Sequence, residues 1–338
     1  MKVAVVNCSK GFYNLGAEKL YAWQKAQGVD ADYFEGDPGF FLDHDRVYLS
    51  VIFSWDAPVA VEMARRVLAR AHVEAGGPGL YALANWWTRE TGLQVQRGLD
   101  PRFERQAGNY RAVFASRGCP TNCSFCIVSK IEGTAQVLDW DFEPAPWLYD
   151  NNLSALPVEF QEHIVRRYLE TGTTLADANS GFEPKYFDAD TYRRWQPLFG
   201  KSVTWRFAYD ETGEGEQVER MAGILKDVLQ RRKRVYVLAG NEPLEACYER
   251  AQKVLEWNCT PYVQPVMSLN ALRRDDLIVR YDWTLEKLKA FQQYYNGFRW
   301  YSVPISEYVS ATGRHFERLN HYQPYVVTHP RQRRKMDS

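Results

Sequence analysis

Short apolar runs alternate with amphipathic segments from the first residues onward, and that alternation leaves few folds open to the chain. Lys2–Asn7 (KVAVVN) is apolar almost throughout, as a strand buried on both faces must be. Ala17–Gln27 follows with helical periodicity, then strand-like stretches at Asp30–Phe34 and Arg46–Ser54, and a second helix over Val59–Ala71. His72–Glu74 leads into Gly76-Gly77-Pro78-Gly79, a strong turn signal. Strands separated by helices pair in parallel through right-handed crossovers. Residues 1–100 are therefore expected to form a small doubly wound α/β domain, with the polar stretch Gly92–Gln106 as a connector.

From Tyr110 the alternation restarts with a different rhythm. Strands are expected at Arg111–Ser116, Trp147–Tyr149, Thr174–Ala178, Val203–Ala208, Arg234–Ala239 and Pro261–Pro265. Helices are expected at Val158–Glu170, Asp190–Leu198, Glu216–Arg231 and Glu242–Trp257. Six such units fit a partial (β/α)6 barrel of the TIM type over residues 108–282. A C-terminal helical extension, residues 283–338, would begin with a helix over Trp283–Tyr295 and end in a basic tail holding Arg331, Arg333, Arg334 and Lys335. Most of the expected strands run into polar residues at their C-terminal ends, where loops of such folds converge on one mouth and chemistry collects. Asp and Asn also favour turns and helix caps, which is the plainer explanation at any single position.

Forty-two basic residues balance forty-two acidic ones, so bulk charge advertises neither nucleic acid nor an anionic membrane. The N-terminus shows no signal-peptide pattern, and the longest apolar run is too short to span a bilayer. A cytoplasmic protein with no membrane partner is the expectation, and in that compartment cysteines serve as ligands or buried thiols before disulfides. Aromatic residues make up 14% of the chain and include Trp86-Trp87 and Trp300-Tyr301. An aromatic core explains them more simply than an interface does.

Three of the six cysteines lie within eight positions, in SRGCPTNCSFCIVSK, directly after an expected strand. Cys119, Cys123 and Cys126 are spaced C-x-x-x-C-x-x-C, so their thiolates can meet one metal centre from a tight loop. Ferredoxins cap all the irons of a cubane with cysteine. Three ligands leave one iron open, where a cosubstrate can bind. A structural zinc site wants four protein ligands, and no fourth lies near in sequence. Cys8, Cys247 and Cys259 read as buried, inert thiols.

This motif, with Phe125 ahead of its last cysteine, resembles that of the radical S-adenosylmethionine (SAM) superfamily, over about Tyr110 to Leu269. The resemblance implies a [4Fe–4S] cluster on Cys119, Cys123 and Cys126, with SAM on the open iron. It implies reductive cleavage of SAM to a 5′-deoxyadenosyl radical that takes hydrogen from a substrate. It also implies an electron donor such as a flavodoxin or ferredoxin. Members carry a Gly-Gly-Glu-like segment after the second strand to hold the SAM amino group; here Asp150-Asn151-Asn152 stands in its place, a departure. Arg206 and Tyr209 look like residues that meet the SAM ribose or carboxylate. Gly240-Asn241 falls in a stretch similar to the adenine-packing motif, and Gln264 sits where sixth-strand residues reach the cosubstrate. Ser129–Gly133 is similar to a segment of some members, with Glu132 expected to cap the loop.

The first hundred residues are similar in layout to cobalamin-binding domains but lack their D-x-H-x-x-G signature, and His44 does not rebuild it. Cobalamin is thus kept only as a lesser alternative. The substrate is unidentified and is expected to be a small molecule. Competing functions are a non-catalytic iron–sulfur or zinc protein, and a nucleic-acid modifying radical enzyme using paired arginines such as Arg231-Arg232 and Arg273-Arg274. Such pairs at helix ends are commoner as solvated surface.

Overall fold

The computed structural model describes residues 1–39, 43–179, 181–200 and 202–321. The basic tail at Arg331–Lys335 falls outside them. The chain divides into two compact units, and the division does not follow the boundaries expected at residues 100–108 and 282. The first comprises Met1–Asn152, Leu156–Leu175 and Met267–Asp276; the second comprises Leu153–Ala155, Ala176–Val266 and the described residues from Leu277 on. The cysteine motif therefore belongs to the same unit as the N-terminal sheet.

In the first unit the chain runs β1 (Lys2–Asn7), α1 (Leu15–Ala26), β2 (Asp30–Glu35), β3 (Arg46–Ser50), α2 (Ala57–Val67) and β4 (His72–Gly76). It continues through α3 (Pro78–Tyr81), α4 (Ala84–Thr91) and β5 (Val95–Gln96). These strands form one parallel sheet in the order β2-β1-β3-β4-β5. Alternation along β1 sends Val3 and Val5 to one face, against Ala17 and Leu20 of α1. Ala4 and Val6 face the other side, with Ala60, Met63 and Ala64 of α2 and Trp87 of α4. Helices thus cover both faces, as the doubly wound reading requires. The strand order reverses between β1 and β3. There Asn7, Asn14 and Ser50 knit the strand ends: the Asn14 amide donates to Asn7 Oδ1 at 3.0 Å and to Ser50 Oγ at 2.9 Å, while Asn14 Oδ1 caps α1 through Ala17 N.

Two expectations for this region need correction. The third strand stops at Ser50, not Ser54, because the Ser9 hydroxyl accepts the N–H groups of Ile52 and Phe53 and turns the chain. The connector Gly92–Gln106 contributes β5, and the segment before it holds α4, with Trp87 fully buried. The glycine turn serves close packing. A Cβ on Gly77, whose φ is +104°, would lie 2.3 Å from Val51 O, and one on Gly79 would lie 2.5 Å from the Phe53 carbonyl carbon.

The first unit continues with β6 (Ala112–Val113), β7 (Ser116–Arg117), α5 (Val128–Ile131), β8 (Gln136–Val137), β9 (Trp147–Leu148) and α6 (Val158–Thr171). β6 pairs in parallel with β9, and β7 antiparallel with β8. The strand expected over Arg111–Ser116 is therefore two short pieces. It breaks because the Asp150 carboxylate takes the N–H groups of Ala115 and Ser116 that a continuous ladder would use.

The second unit holds β10 (Asp177–Ala178), α7 (Ala189–Trp195), β11 (Trp205–Tyr209), α8 (Gly215–Ile224), β12 (Lys233–Ala239), α9 (Leu244–Glu256), β13 (Thr260–Pro265) and α10 (Leu285–Asn296), then the hairpin β14 (Val309–Ser310) and β15 (Gly313–Arg314). β11, β12 and β13 form a parallel sheet. All six strand positions expected after residue 108 are strands, the early ones shorter than expected. The helix expected to reach Arg231 ends at Ile224, with Gly223, a poor helix former, in its last turn. Some of the aromatic residues are core: Phe182 lies 5.3–5.6 Å from the rings of Phe187, Trp195, Phe199 and Trp205, and Trp300 is buried. No described helix is long and apolar enough to cross a membrane.

Candidate metal centre

The cysteines sit on a loop whose base is closed by the β7–β8 pair, in register Ser116↔Val137 and Arg117↔Gln136. Gly118 turns the chain into it with φ +78°; a Cβ there would lie 2.1 Å from Thr134 O, so only glycine fits. Inside the loop Cys119 N donates to Gly133 O at 3.1 Å, and Cys126 N to Cys123 O at 3.1 Å. The Ser129 hydroxyl donates to Asn122 Oδ1 at 2.8 Å. From α3, the Tyr81 hydroxyl holds Lys130 O at 2.6 Å. All three cysteines and Phe125 are half-buried, and none of the six cysteines forms a disulfide.

Asp150-Asn151-Asn152, placed by sequence where the SAM amino group is held, instead fastens this loop at three points. The fully buried Asp150 carboxylate accepts Ala115 N at 2.9 Å, Ser116 N at 2.6 Å and the Ser116 hydroxyl. Burial pushes its carboxyl up to about 6 against the pull of the Ser116 and Ala115 hydrogen bonds. Asn151 donates to Glu132 Oε2 at 2.7 Å, and the same oxygen accepts Gly118 N at 2.8 Å, so Glu132 caps the loop. Asn152 donates to Cys119 Sγ at 3.6 Å. Behind the loop, Arg117 lies between Glu104 at 2.9 Å and Glu132 at 3.2 Å, its guanidinium over the Phe114 ring. Lys19 of α1 meets Glu104 at 3.9 Å. Lys19 and Glu104 were invisible to sequence reading, because nothing local pairs residues 85 apart.

Three thiols lie on one loop, one of them facing the Asn152 amide, a donor that can stabilise a thiolate; by its chemistry, a set of three thiols is what a cubane with one open iron would take. Among the described residues no three His, Cys, Asp or Glu side chains surround a single point as one ion would require. A cubane asks for something different, since each thiolate meets its own iron at a separate corner.

The remaining candidates lie in the second unit. Arg206 is bound by both Asp177 oxygens at 2.8 and 2.6 Å and donates to the Tyr236 hydroxyl at 2.6 Å. Tyr209 is fully buried, its ring 6.0 Å from that of Trp257, and Arg250 of α9 holds its carbonyl. Its side chain belongs to the core. Gly240 has φ +95°, and a Cβ there would press within 3.3 Å of Ile278 O and Leu288 Cδ2, so the glycine admits the chain's own packing. Asn241 donates to Asp210 O at 2.6 Å and accepts from Arg250 at 3.3 Å. Gln264 presents an exposed side chain at the end of β13.

Sequence reading missed Glu183. Its carboxyl and that of Asp210 are each pushed up to about 7, first by burial and then by the charge of Glu214. The three thiols outside the motif are buried, and burial raises each: Cys8, Cys247, and Cys259 to about 11. His44 is turned to Asp32 at 3.0 Å.

No family model and no curated protein matches the chain. Among solved structures it is similar to the crystal structure of PH0766 from Pyrococcus horikoshii OT3, with 12% identity over 79% of this chain and 61% of that one and a TM-score of 0.23. The chain spans about three fifths of that protein's length. A likeness at that score carries no weight for fold or function.

Proposed function

We propose that this chain is a radical SAM enzyme acting on a small molecule, with Cys119, Cys123 and Cys126 as the ligands of one [4Fe–4S] cluster. The observation that supports this most is the cysteine loop itself: three thiols at C-x-x-x-C-x-x-C spacing, closed at the base by β7–β8, with an amide donated to Cys119 Sγ. When bound, the cluster supplies one electron to the sulfonium of SAM and so generates a carbon radical able to take hydrogen from a substrate.

The chain's own residues have the task of holding and shielding. Gly118 sets the entry turn, Asp150 fixes the two N–H groups before it, and Glu132 ties entry to exit. Asn152 supplies a hydrogen bond to a ligand sulfur, which favours added negative charge at the centre. The family resemblance alone assigns Arg206, Asn241 and Gln264 to the cosubstrate; within the second unit, Arg206 is fixed by Asp177 and Asn241 donates to Asp210 O. The frame we propose for residues 108–282 is a partial (β/α)6 barrel.

Anaerobic purification followed by iron and sulfide analysis, with a deoxyadenosine assay under a strong reductant, tests the proposal. About four irons per chain and deoxyadenosine formation from SAM are expected, both lost when all three cysteines become Ala. A colourless protein holding one zinc, or turnover that survives the triple change, would overturn it.

A further inference from the structure

The first unit holds an open-mouthed cavity of about 340 Å³ beside α1, at the carboxyl ends of β3 and β4. Its position is the crevice beside the strand-order reversal, where open α/β sheets take ligands. One wall is the sheet and its glycine turn, with Leu49, Ala75 and Pro78; another is the cysteine loop just past its last thiol, with Ile127, Val128 and Ile131. Asn151, neighbour of the residue that meets Cys119, closes a corner.

The charged groups around the cavity leave nothing to spare. Each lining arginine is bound by two carboxylates: Arg102 by Asp100 and Glu74, and Arg117 by Glu104 and Glu132. Lys19 on Glu104 and Arg46 on Glu74 complete the neutralisation. Among the lining residues, an anionic ligand such as a phosphate ester would find no cation without a carboxylate partner and would face carboxylates. A cationic ligand would compete with guanidinium groups already seated. What remains on offer is apolar wall. The volume sits at the small end of the range for sites that bury a small organic molecule, roughly 300–1,000 Å³, and is smaller than a corrinoid needs.

We infer that this cavity binds an uncharged, largely apolar small molecule, and, resting on the radical reading proposed above, that this molecule is the substrate. Burying an unpaired charge in such a site is strongly unfavourable, so charge is the property that selects.

Fluorescence titration of the full chain with neutral phenylnaphthylamine, and separately with its sulfonated analogue, tests the inference. The neutral dye should bind at one site, and the sulfonated one at least about tenfold more weakly. Ile131→Trp and Val128→Trp, both half-buried on the loop wall, should weaken the neutral dye by about tenfold or more, while Leu169→Trp on the exposed side of α6 should not. Equal or tighter binding of the sulfonated dye would overturn the inference in the parent protein alone, whatever the variants do. Unchanged affinity in both folded loop variants would also overturn it. The titration needs neither cluster nor SAM, so its failure is distinguishable from a failure to make deoxyadenosine.

Discussion

Asn152 donates its side-chain amide to Cys119 Sγ at 3.6 Å. The contact joins the strand end after β9 to the first thiol of the motif, across 33 residues of sequence. A donor on a ligand sulfur stabilises the more negative state of an iron–sulfur centre. If the proposed cluster is bound, Asn152→Ala should therefore retain iron and lower its reduction potential. Removing about 1 kcal/mol of differential hydrogen bonding corresponds to about 40 mV for one electron. A redox titration followed by electron paramagnetic resonance reads the shift. An unchanged potential would show that the amide has no such role.

Asp150 carries a pH dependence whose sign can be worked out. Its carboxyl is raised by burial to about 6 in the folded chain, above the usual carboxylate value of about 4. The unfolded chain then releases the proton first as pH rises. Stability contributed by the protonated form is full below about pH 4, falls as pH climbs to about 6, and is flat beyond, a total of up to about 3 kcal/mol. Asp150→Asn should flatten that part of a urea-midpoint profile. Asp150→Ala should instead lower stability at every pH by about 2–4 kcal/mol, because it strands the buried donors of Ala115 and Ser116.

Much of the fold was legible because local signals and tertiary packing agree. The apolar run of β1 is buried on both faces, and its alternation divides cleanly between two helix layers. The cysteines were legible because their ligand spacing is contiguous. What Asp150, Asn151 and Asn152 do was not: strand-end position marks them as interesting, but their partners lie 19–35 residues away. Tyr209 is different, since the sequence held a usable signal. In Trp205–Tyr209 the residues at odd positions are all buried, and Arg206 and Ala208 fall on the other face. Period-two alternation places Arg206 and Tyr209 on opposite sides of the sheet, so the two could not have met one ligand as side-by-side neighbours. Glu183 has no such signal, because its carboxyl is raised first by tertiary burial and then by Glu214, 31 residues on.

In the second unit, Glu183 and Asp210 should titrate near neutrality. Both are raised to about 7 by burial and by Glu214. The sign is that of Asp150: stability declines as pH rises from about 4 to about 7. Glu214→Gln removes the charge that both feel and should move the upper end of that decline to lower pH. The same change also weakens the cap at Asp210 N and Glu211 N, so the diagnostic reading is the shape of the thermal-midpoint profile between pH 5 and 8. A profile merely displaced downward, with its shape unchanged, would refute the coupling.

Arg117 offers the sharpest test of how the cysteine loop is held. Its side chain is 13% exposed, and its two partners Glu104 and Glu132 are each 12% exposed. A buried ion pair gains little over an apolar replacement of all its members, but removing one member leaves the others charged and poorly solvated. Arg117→Met should cost about 3–5 kcal/mol in urea denaturation and should loosen Glu132, which caps Gly118 and holds Asn151. With the proposed cluster loaded, loss of the cap should appear as faster iron release to a chelator, beyond what the lower global stability explains. Replacing Arg117, Glu104 and Glu132 together with Met, Gln and Gln, and Lys19, the other partner of Glu104, with Met, removes the stranded charges and should recover most of the denaturation midpoint. It should not restore iron retention, because a neutral amide at position 132 accepts more weakly from Gly118 N than a carboxylate does. Recovery of both properties would mean that the ion pairs contribute bulk stability alone and that the loop is positioned by Asp150 and Asn152.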